Sequence, residues 1–227
     1  MFEQQPEGLR QKVKSLATEA LNKSDPSGWF DRLYSQANGN PQQVPWARLQ
    51  PHPYFQDWLD KNKPKGNNRS ALVIGCGLGD DAEALARLGF NVTAFDISPT
   101  AIAWCQQRFP NSPVTYLVAD LFALDPAWRH QFDLILECRN IQSLPLNVRS
   151  TVIDAIASLV AKEGILLVIT RFRQTEAEPD GPPWALSERE LAQFQDLGLE
   201  EVHRDSFIEA ENPSVEQLRI EYRRSRQ

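Results

Sequence analysis

The chain has 227 residues, of which 41% are hydrophobic and 24% are charged, a balance typical of one globular α/β domain. Its net charge of −6 argues against nucleic-acid binding, which needs clustered Lys and Arg, and against a surface that seeks anionic lipid. No apolar run reaches the roughly 18 residues of a membrane span, and the segment from Met1 to Leu21 resembles neither a signal nor a transit peptide. The three cysteines form no close pair in the sequence, which is typical of a reducing compartment. A cytoplasmic location is therefore predicted.

The first 69 residues contain helical patterns but no strand pattern. Apolar residues at helical spacing, together with an aromatic-rich segment, predict helices over Glu7–Leu21, Gly28–Ala37 and Tyr54–Lys61. A polar stretch over Lys63–Ser70 follows. We therefore expect residues 1–69 to form a helical cover and a linker, within the same domain as a core over residues 70–227.

From residue 70 onward the pattern alternates between strands and helices. Short runs of strand-forming residues predict seven strands, over residues 71–75, 92–95, 114–118, 132–137, 164–170, 199–207 and 215–222. Helices are predicted over 80–88, from Ser98-Pro99, over 148–160 and over 187–197, the last with Ser187 and Glu190 as a capping box. This alternation predicts a Rossmann-like, doubly wound, mostly parallel seven-stranded sheet. Because only Asn212-Pro213 joins the last two strands, they should form an antiparallel hairpin at the sheet edge.

A glycine-rich turn follows the first predicted strand, where sheets of this type bind ligands. Its sequence is Gly75-Cys76-Gly77-Leu78-Gly79, and glycine lets the backbone approach a ligand closely. The GxGxG spacing differs from the GxGxxG of dinucleotide sites. The next helix opens with Asp80-Asp81, which would repel a pyrophosphate but suit an ammonium group such as that of S-adenosylmethionine. Alternatively, the turn serves tight packing and the two aspartates only cap the helix.

An aspartate follows each of the next two predicted strands. Asp96, beside Ile97, can accept hydrogen bonds from both hydroxyls of a ribose, as acids at this position also do in NAD sites. Asp120 can accept from the amine of adenine while the apolar Leu121 covers the ring. Taken alone, Asp120 is more often a turn residue. Together with Asp96 and the glycine turn, it indicates a nucleoside site.

Five segments in this order resemble the motifs of class I S-adenosylmethionine-dependent methyltransferases: ALVIGCGLGDDA, VTAFDIS, YLVADLF, FDLILECRNIQSLP and KEGILLVIT. The resemblance covers roughly residues 70–222. It implies that Gly75, Gly77, Asp96 and Asp120 hold the cofactor, and that Cys138 lies near its amino-acid end or its methyl group. The cofactor-binding residues predicted in full are Gly75, Cys76, Gly77, Asp80, Asp96, Ile97, Asp120, Leu121, Cys138 and Trp46.

Two further segments resemble the thiopurine methyltransferase-like branch more loosely, namely Pro45-Trp46 with the aromatic residues before it, and residues 181–184 (GPPW). That branch typically has Asp-Arg-Gly after the fourth strand, where this chain has Glu137-Cys138-Arg139-Asn140. Because of this departure, the branch's substrate residues and its preference for thiols are not carried over.

The side of the site that would hold a methyl acceptor is less defined by the sequence. Candidates for its wall are Trp29, Phe30, Tyr34 and Trp46 before the sheet, and Arg171, Phe172 and Trp184 after the fifth strand, although such residues often serve packing alone. Arg139 either meets an anionic acceptor or forms a surface ion pair. The loop over residues 173–184 is either a lid or a connector. No catalytic residue is identified, and the absence of GxSxG, HxxxH and CxxC argues against a hydrolase or a metal site.

The sequence thus predicts an enzyme that transfers a methyl group from S-adenosylmethionine to a small molecule, with oxygen, nitrogen and sulfur all open as the methylated atom. Two alternatives remain. One is an NAD-dependent oxidoreductase, against which the GxGxG spacing, Asp80 and Asp120 speak. The other is a non-catalytic module that binds the cofactor or a partner subunit. The oligomeric state is not predicted.

Overall fold

The computed structural model describes residues 7–23, 25–209 and 212–225. Its helices are α1 Glu7–Asn22, α2 Trp29–Ala37, α3 Pro53–Asn62, α4 Asp80–Arg87, α5 Pro99–Arg108, α6 Arg149–Leu159 and α7 Glu188–Asp196. Its strands are β1 Ser70–Ile74, β2 Asn91–Asp96, β3 Thr115–Val118, β4 Phe132–Cys138, β5 Val160–Phe172, β6 Leu199–Glu209 and β7 Asn212–Arg224.

The strands form one sheet in the order β3-β2-β1-β4-β5-β7-β6. Strands β1 to β5 are parallel, whereas β7 runs antiparallel to both β5 and β6. The predicted Rossmann-like fold with an antiparallel hairpin at one edge is therefore confirmed. The strand order reverses between β1 and β4, and in such sheets this reversal opens a crevice at the carboxyl ends of the strands.

Most predicted boundaries differ from the observed ones by one or two residues, and two differences are larger. Strand β5 begins at Val160 rather than Gly164, because Val160 pairs with Phe132 immediately after α6 ends. The predicted link between the last strands is wrong in position, because residues 212 and 213 already belong to β7. Residues 210 and 211, which lie between β6 and β7, are outside the described part of the chain.

Both faces of the sheet are buried at its central strands, which explains why β1 is apolar from Ala71 to Ile74. On one face, Leu72 and Ile74 join the helices α6 and α7 in a core that includes Ile153. On the other face, Ala71 and Val73 pack with the helices α3, α4 and α5. Strands buried on both faces lack a polar alternation, as expected for a parallel sheet.

Hydrogen bonds fasten the helices α2 and α3 to the core. Near the start of α5, Asp31 of α2 accepts hydrogen bonds from Ser98 Oγ at 2.6 Å and from the Thr100 N–H at 3.1 Å. Near β7, Arg219 donates to Asp57 of α3 at 2.8 Å. The cover is therefore tied to the core on both sides of the crevice.

The polar segment after α3 is bonded to the core as well. The N–H of Gly66 donates to the carbonyl of Leu88 at 2.9 Å, and that of Asn68 donates to Gly89 at 3.0 Å. A Cβ at Gly66 would lie 2.1 Å from the Phe90 nitrogen, so only glycine permits this approach. Among the described residues, no helix has the length and apolar character needed to cross a membrane.

Candidate active site

One cavity of about 230 Å³ lies between the cover and the carboxyl ends of the parallel strands. All ten residues predicted to bind a cofactor line it, from β1, β2, β3, β4 and the cover: Gly75, Cys76, Gly77, Asp80, Asp96, Ile97, Asp120, Leu121, Cys138 and Trp46. The cavity also includes residues that the sequence did not single out for this site, namely Arg48, Gln50, His52, Asn140, Gln142, Ser143, Pro182 and Pro183. The sequence-predicted residues are thus brought together in space, while their role in binding stays a prediction.

The glycine turn after β1 has a backbone that other residues rarely adopt. The φ angles of Gly75, Gly77 and Gly79 are +54°, +56° and +89°. A Cβ at Gly75 would lie 1.8 Å from Asn140 Oδ1, and a Cβ at Gly77 would lie 3.2 Å from Tyr34 Oη. The turn therefore presents bare backbone to the cavity, directly beneath the aromatic residues of the cover.

The carboxylate of Asp96 lies in the cavity wall at the end of β2. Its Oδ2 accepts from the Gly77 N–H at 3.0 Å, and its Oδ1 accepts from the Ser98 N–H at 2.9 Å. A carboxylate has about four acceptor positions, so these bonds orient the group and leave capacity for ligand hydroxyls. Burial raises the pKa of Asp96 to about 6, against the opposing effect of the backbone hydrogen bonds.

Asp120 occupies the corresponding position after β3. Its Oδ1 accepts from the Phe122 N–H at 2.9 Å, so the residue does form the local turn that its sequence context favoured. It also lines the cavity, beside Leu121 and Phe122. The turn therefore holds a carboxylate and apolar side chains next to one another, as an adenine edge and ring would require.

The two aspartates at the start of α4 have different partners. Arg108 of α5 binds Asp80 through two hydrogen bonds of 2.8 and 2.9 Å, so the charge of Asp80 is largely compensated. Asp81 accepts from the N–H of His52 at 2.7 Å, and burial raises its pKa to about 6. Asp81 lines the cavity as well, so a second carboxylate, which was not among the ten predicted binding residues, lies beside Asp80.

Aromatic residues of the cover close the cavity above the glycine turn. Trp46 donates its indole N–H to Tyr34 Oη at 2.6 Å and meets the rings of Trp29 and Phe30 edge-on, at 5.9 and 6.0 Å between centroids. All four side chains line the cavity. They form an apolar roof held in place by aromatic packing.

Two of the three wall residues predicted to follow the fifth strand are not in the cavity, and two of the three belong to β5 itself. Arg171 lines it, but Phe172 points to the opposite face of the strand and packs on the hydrophobic core, because successive strand residues alternate in direction. Trp184 is buried against Gly181 instead of facing the cavity. Pro182 and Pro183 supply the wall at this point.

The loop over residues 173–184 is anchored at both ends. The Arg173 N–H donates to the Leu186 carbonyl at 2.8 Å, and the Trp184 N–H donates to the Gln142 carbonyl at 2.7 Å. Arg149 also donates to the Trp184 carbonyl. The end of the loop that reaches the cavity is therefore part of the fixed wall.

None of the cysteines has the environment of a nucleophile. Burial raises the pKa of the Cys138 thiol well above its usual value. The Cys76 thiol lies against Cys105, and that contact together with burial raises its pKa as well. Cys105 in turn donates to the Gly77 carbonyl at 3.2 Å. The raised pKa values of Cys76 and Cys138, which line the cavity, support the interpretation that these two thiols shape its wall.

Acidic and basic side chains line different ends of the cavity, and each end belongs to different strands of the sheet. We call the glycine turn over 75–79 with Asp96 and Asp120 the acidic half, which lies on β1, β2 and β3. The basic half comprises His52 with Arg48, Arg139 and Arg171, which come from the cover and from the ends of β4 and β5. Neighbouring strands are about 4.8 Å apart, so the two halves extend over about 19 Å from β3 to β5.

Comparison with known proteins places the chain in a family. Residues 34–224 match the family model of thiopurine S-methyltransferase. The chain is 27% identical over 182 residues to a probable thiol methyltransferase from Arabidopsis thaliana, covering 78% of this chain and 75% of that protein. It is 34% identical over 119 residues to a thiopurine S-methyltransferase from Shewanella pealeana, covering 51% of each.

The fold agrees with solved methyltransferases. The structure of the N-methyltransferase NodS from Bradyrhizobium japonicum, in complex with S-adenosylhomocysteine, aligns with a TM-score of 0.64 and 21% identity. That alignment covers 86% of this chain and 97% of the other. By sequence, the chain spans between about half and three-quarters of the length of the curated relatives it matches.

Proposed function

Because this chain belongs to the thiopurine S-methyltransferase family of S-adenosylmethionine-dependent methyltransferases, we propose that it methylates a small-molecule acceptor in the cavity beneath its helical cover. The nucleoside of the cofactor occupies the acidic half, and the acceptor occupies the basic half. The methylated atom is oxygen, nitrogen or sulfur. The observation that carries this assignment is the meeting of the glycine turn, Asp96 and Asp120 in one cavity with the cover residues.

The residues of the acidic half fit the cofactor. A Cβ at Gly75 would clash with Asn140 Oδ1 at 1.8 Å, and one at Gly77 would crowd Tyr34 Oη at 3.2 Å, so only glycine lets this turn form the cavity wall. Asp96 is held by two backbone N–H groups and keeps acceptor capacity for ribose hydroxyls. Asp120 is placed to accept from the adenine amine, while Leu121 and Phe122 contact the ring.

When bound, S-adenosylmethionine supplies a methyl group already activated by its sulfonium. The protein then has to align the acceptor and exclude water, which can supply several kcal/mol of the barrier. The aromatic roof formed by Trp29, Phe30, Tyr34 and Trp46 excludes water above the glycine turn. Aromatic faces near a cation also contribute on the order of 1 kcal/mol each.

The basic half orients the acceptor. Arg48, Arg139 and Arg171 bring positive charge to one end of the cavity, and Gln142 and Ser143 add polar groups beside them. Gln142 is itself fixed, because its Oε1 accepts from the Arg171 N–H at 2.6 Å. A polar or anionic acceptor is therefore favoured over a purely apolar one.

Calorimetry with S-adenosylhomocysteine and with NAD⁺ tests the proposal. We expect S-adenosylhomocysteine to bind and NAD⁺ not to bind. A crystal structure of the first complex should then place the ribose at Asp96 and the sulfur toward the basic half. Binding of NAD⁺ alone, or no binding of S-adenosylhomocysteine at millimolar concentration, would contradict the proposal.

Turnover is tested separately, since a non-catalytic module would bind the cofactor without transferring its methyl group. A panel of small thiols, phenols and amines should contain at least one acceptor that is methylated with formation of S-adenosylhomocysteine. Cofactor binding without turnover on any of these classes would favour the non-catalytic module.

A further inference from the structure

The segment after β4 presents an amide side chain to the cavity in one fixed orientation. Gln142 lies in a short helical turn over Ile141–Ser143, lines the cavity, and is only 3% exposed. Its Oε1 accepts from the Arg171 N–H at 2.6 Å and from Thr170 Oγ1 at 3.3 Å. Because a backbone N–H can only donate, this bond identifies the oxygen of the amide and places Nε2 on the other side.

The nitrogen of this amide is open to a ligand. Every hydrogen bond of Gln142 to a described residue uses its Oε1 or its main chain. Its Nε2 is not among the side-chain atoms that are enclosed without a partner, so it keeps surface toward the cavity that the residue lines. Both ring nitrogens of His52, in contrast, are enclosed. A buried amide that is anchored on one side and open to a cavity on the other is suited to ligand recognition.

Positive charge accompanies this donor. Arg171 contacts Gln142 through the main-chain bond, and both Arg171 and Arg139 line the cavity at this end. Arg139 donates to Gln217 Oε1 of β7, which orients its guanidinium group. A carboxylate offers only acceptor oxygens and carries a negative charge, so it matches an N–H donor beside two cations.

We propose that Gln142 determines the specificity for the methyl acceptor by donating to a carboxylate of that acceptor. The substrate is then a small carboxylic acid that is methylated at a separate oxygen, nitrogen or sulfur atom. This proposal rests on the proposed function, because it names the substrate class of the same site.

The cofactor also carries a carboxylate, on the same carbon atom as its ammonium group. The sequence predicts that the ammonium group lies beside Asp80, at the start of α4 and directly after the glycine turn of β1. Gln142 is anchored to β5, which is two strand spacings, or about 10 Å, from β1. The carboxylate at Gln142 is therefore assigned to the acceptor, and the affinities of two nucleoside ligands separate the two sources.

Calorimetry with benzoate and benzamide tests the donor role. The two ligands have the same shape, but only benzamide has N–H groups. In the complex with S-adenosylhomocysteine, we expect the wild type to bind benzoate at least about tenfold more tightly than benzamide. Gln142→Glu keeps an oxygen for the Arg171 N–H but replaces the donor with a second acceptor. At pH 8, where the introduced carboxyl group is charged, this variant should bind benzamide more tightly than benzoate.

Two further variants control for structural effects. Gln142→Met removes both ends of the amide, so it should lose affinity for benzoate without gaining affinity for benzamide. Gln131→Glu introduces the same charge at an exposed residue outside the cavity, where the Gln131 amide donates to the Arg129 carbonyl. It should leave the affinities for both ligands unchanged.

The source of the carboxylate is tested with S-adenosylhomocysteine and 5′-methylthioadenosine, which lacks the amino-acid part. We expect Gln142→Glu to leave the affinity for both nucleosides unchanged. A loss of affinity for S-adenosylhomocysteine alone would assign the carboxylate to the cofactor and overturn the proposal.

Other outcomes would also overturn it. An equal loss of affinity for benzoate and benzamide in Gln142→Glu would indicate a structural role for the amide. A wild-type complex that prefers benzamide, or that binds no benzoate at millimolar concentration, would contradict the substrate class. Normal binding of S-adenosylhomocysteine in the same experiments would leave the proposed function standing.

Discussion

The two halves of the cavity are built in different ways. The acidic half consists of residues at or just beyond the carboxyl ends of three neighbouring strands. Its groups are held by backbone hydrogen bonds, such as that from the Gly77 N–H to Asp96 at 3.0 Å. The basic half is assembled from the cover and from the ends of β4 and β5, segments far apart in the chain. The geometry of the acidic half therefore depends on the sheet alone, whereas that of the basic half also depends on how the cover packs on the sheet. This difference predicts separate responses to substitution.

The largest effect should come from disturbing the backbone of the acidic half. Gly75→Ala places a methyl group 1.8 Å from Asn140 Oδ1 at a φ of +54°, and Asn140 is held by a 2.8 Å bond to the Ile74 carbonyl. We expect the affinity for S-adenosylhomocysteine to fall roughly a hundredfold, or about 2.7 kcal/mol. Calorimetry measures this change.

Gly39→Ala is the matched control for that substitution. Gly39 has a φ of +78°, so the backbone strain is similar, but nothing lies within 4 Å of the added Cβ. It should lower stability without changing the affinity. If both variants weakened binding equally, the close approach at Gly75 would have no special role.

The next largest effect should be the pH dependence of the affinity for S-adenosylhomocysteine, which depends on the acidic half. Asp96 has a pKa of about 6 in the unliganded protein, and ribose hydroxyls donate to its charged form. Binding therefore requires the proton to be lost, and affinity should fall as the pH drops below about 6. At pH 5 it should be about tenfold weaker than at pH 7, because one pKa unit corresponds to 1.36 kcal/mol.

The variant Asp96→Asn should bind more weakly and lose most of this pH dependence. Asp81 also has a pKa of about 6, so Asp81→Asn measures how much of the pH dependence comes from the carboxylate at the start of α4. A wild-type affinity that is constant from pH 5 to 7 would contradict the assignment of Asp96 to the ribose.

A smaller effect, confined to the basic half, is expected for Arg171→Met. The substitution keeps an unbranched chain of similar length but removes the cation from the cavity wall. We expect KM for an anionic acceptor to rise about fivefold, as for loss of about 1 kcal/mol of charge interaction. The affinity for S-adenosylhomocysteine should not change. An equal loss of both affinities would mean that the halves are not independent.

The smallest effect should come from loosening the cover. Asp31→Ala removes the acceptor of the bonds from Ser98 Oγ and the Thr100 N–H, which should cost about 1 kcal/mol and lower the Tm by about 3 °C. Asp25→Ala is the control, since Asp25 accepts from the N–H of Gly28 within the cover. Only Asp31→Ala should also raise KM for the methyl acceptor, because it removes the hydrogen bonds that hold the cover against α5.

The acidic half could be predicted from the sequence because each of its residues follows a strand that is recognisable by itself. Asp96 is the last residue of β2 and Asp120 lies two residues beyond β3, and the carboxyl ends of parallel strands meet at one edge of the sheet. The partner of Asp80 could not be predicted in the same way. Arg108 lies 28 positions further along the chain and reaches Asp80 only because α5 packs beside α4.

Only part of the basic half was predicted: Arg139 and Arg171 were candidates for the acceptor side, whereas Arg48 and His52 were not. His52 looked like an isolated histidine, since no local pattern connects it with Arg139 or Arg171. Its place in the cavity depends on the bond from its N–H to Asp81 and on the seating of α3 against β7. Phe172 and Arg171 were selected together, although the alternation of a strand allows only one of two neighbours to face the cavity.

The central claim is that Asp96 and Asp120 bind the adenosyl group of the cofactor. Calorimetry of S-adenosylhomocysteine binding to the double variant Asp96→Asn/Asp120→Asn tests it most directly, with Asp125→Asn, which caps a short helix outside the cavity, as the control. We predict that the affinity of the double variant falls at least about a hundredfold, because each hydrogen bond to a charged group contributes about 1.5–3 kcal/mol. The affinity of the control should be unchanged. An unchanged affinity in a correctly folded double variant would contradict the account.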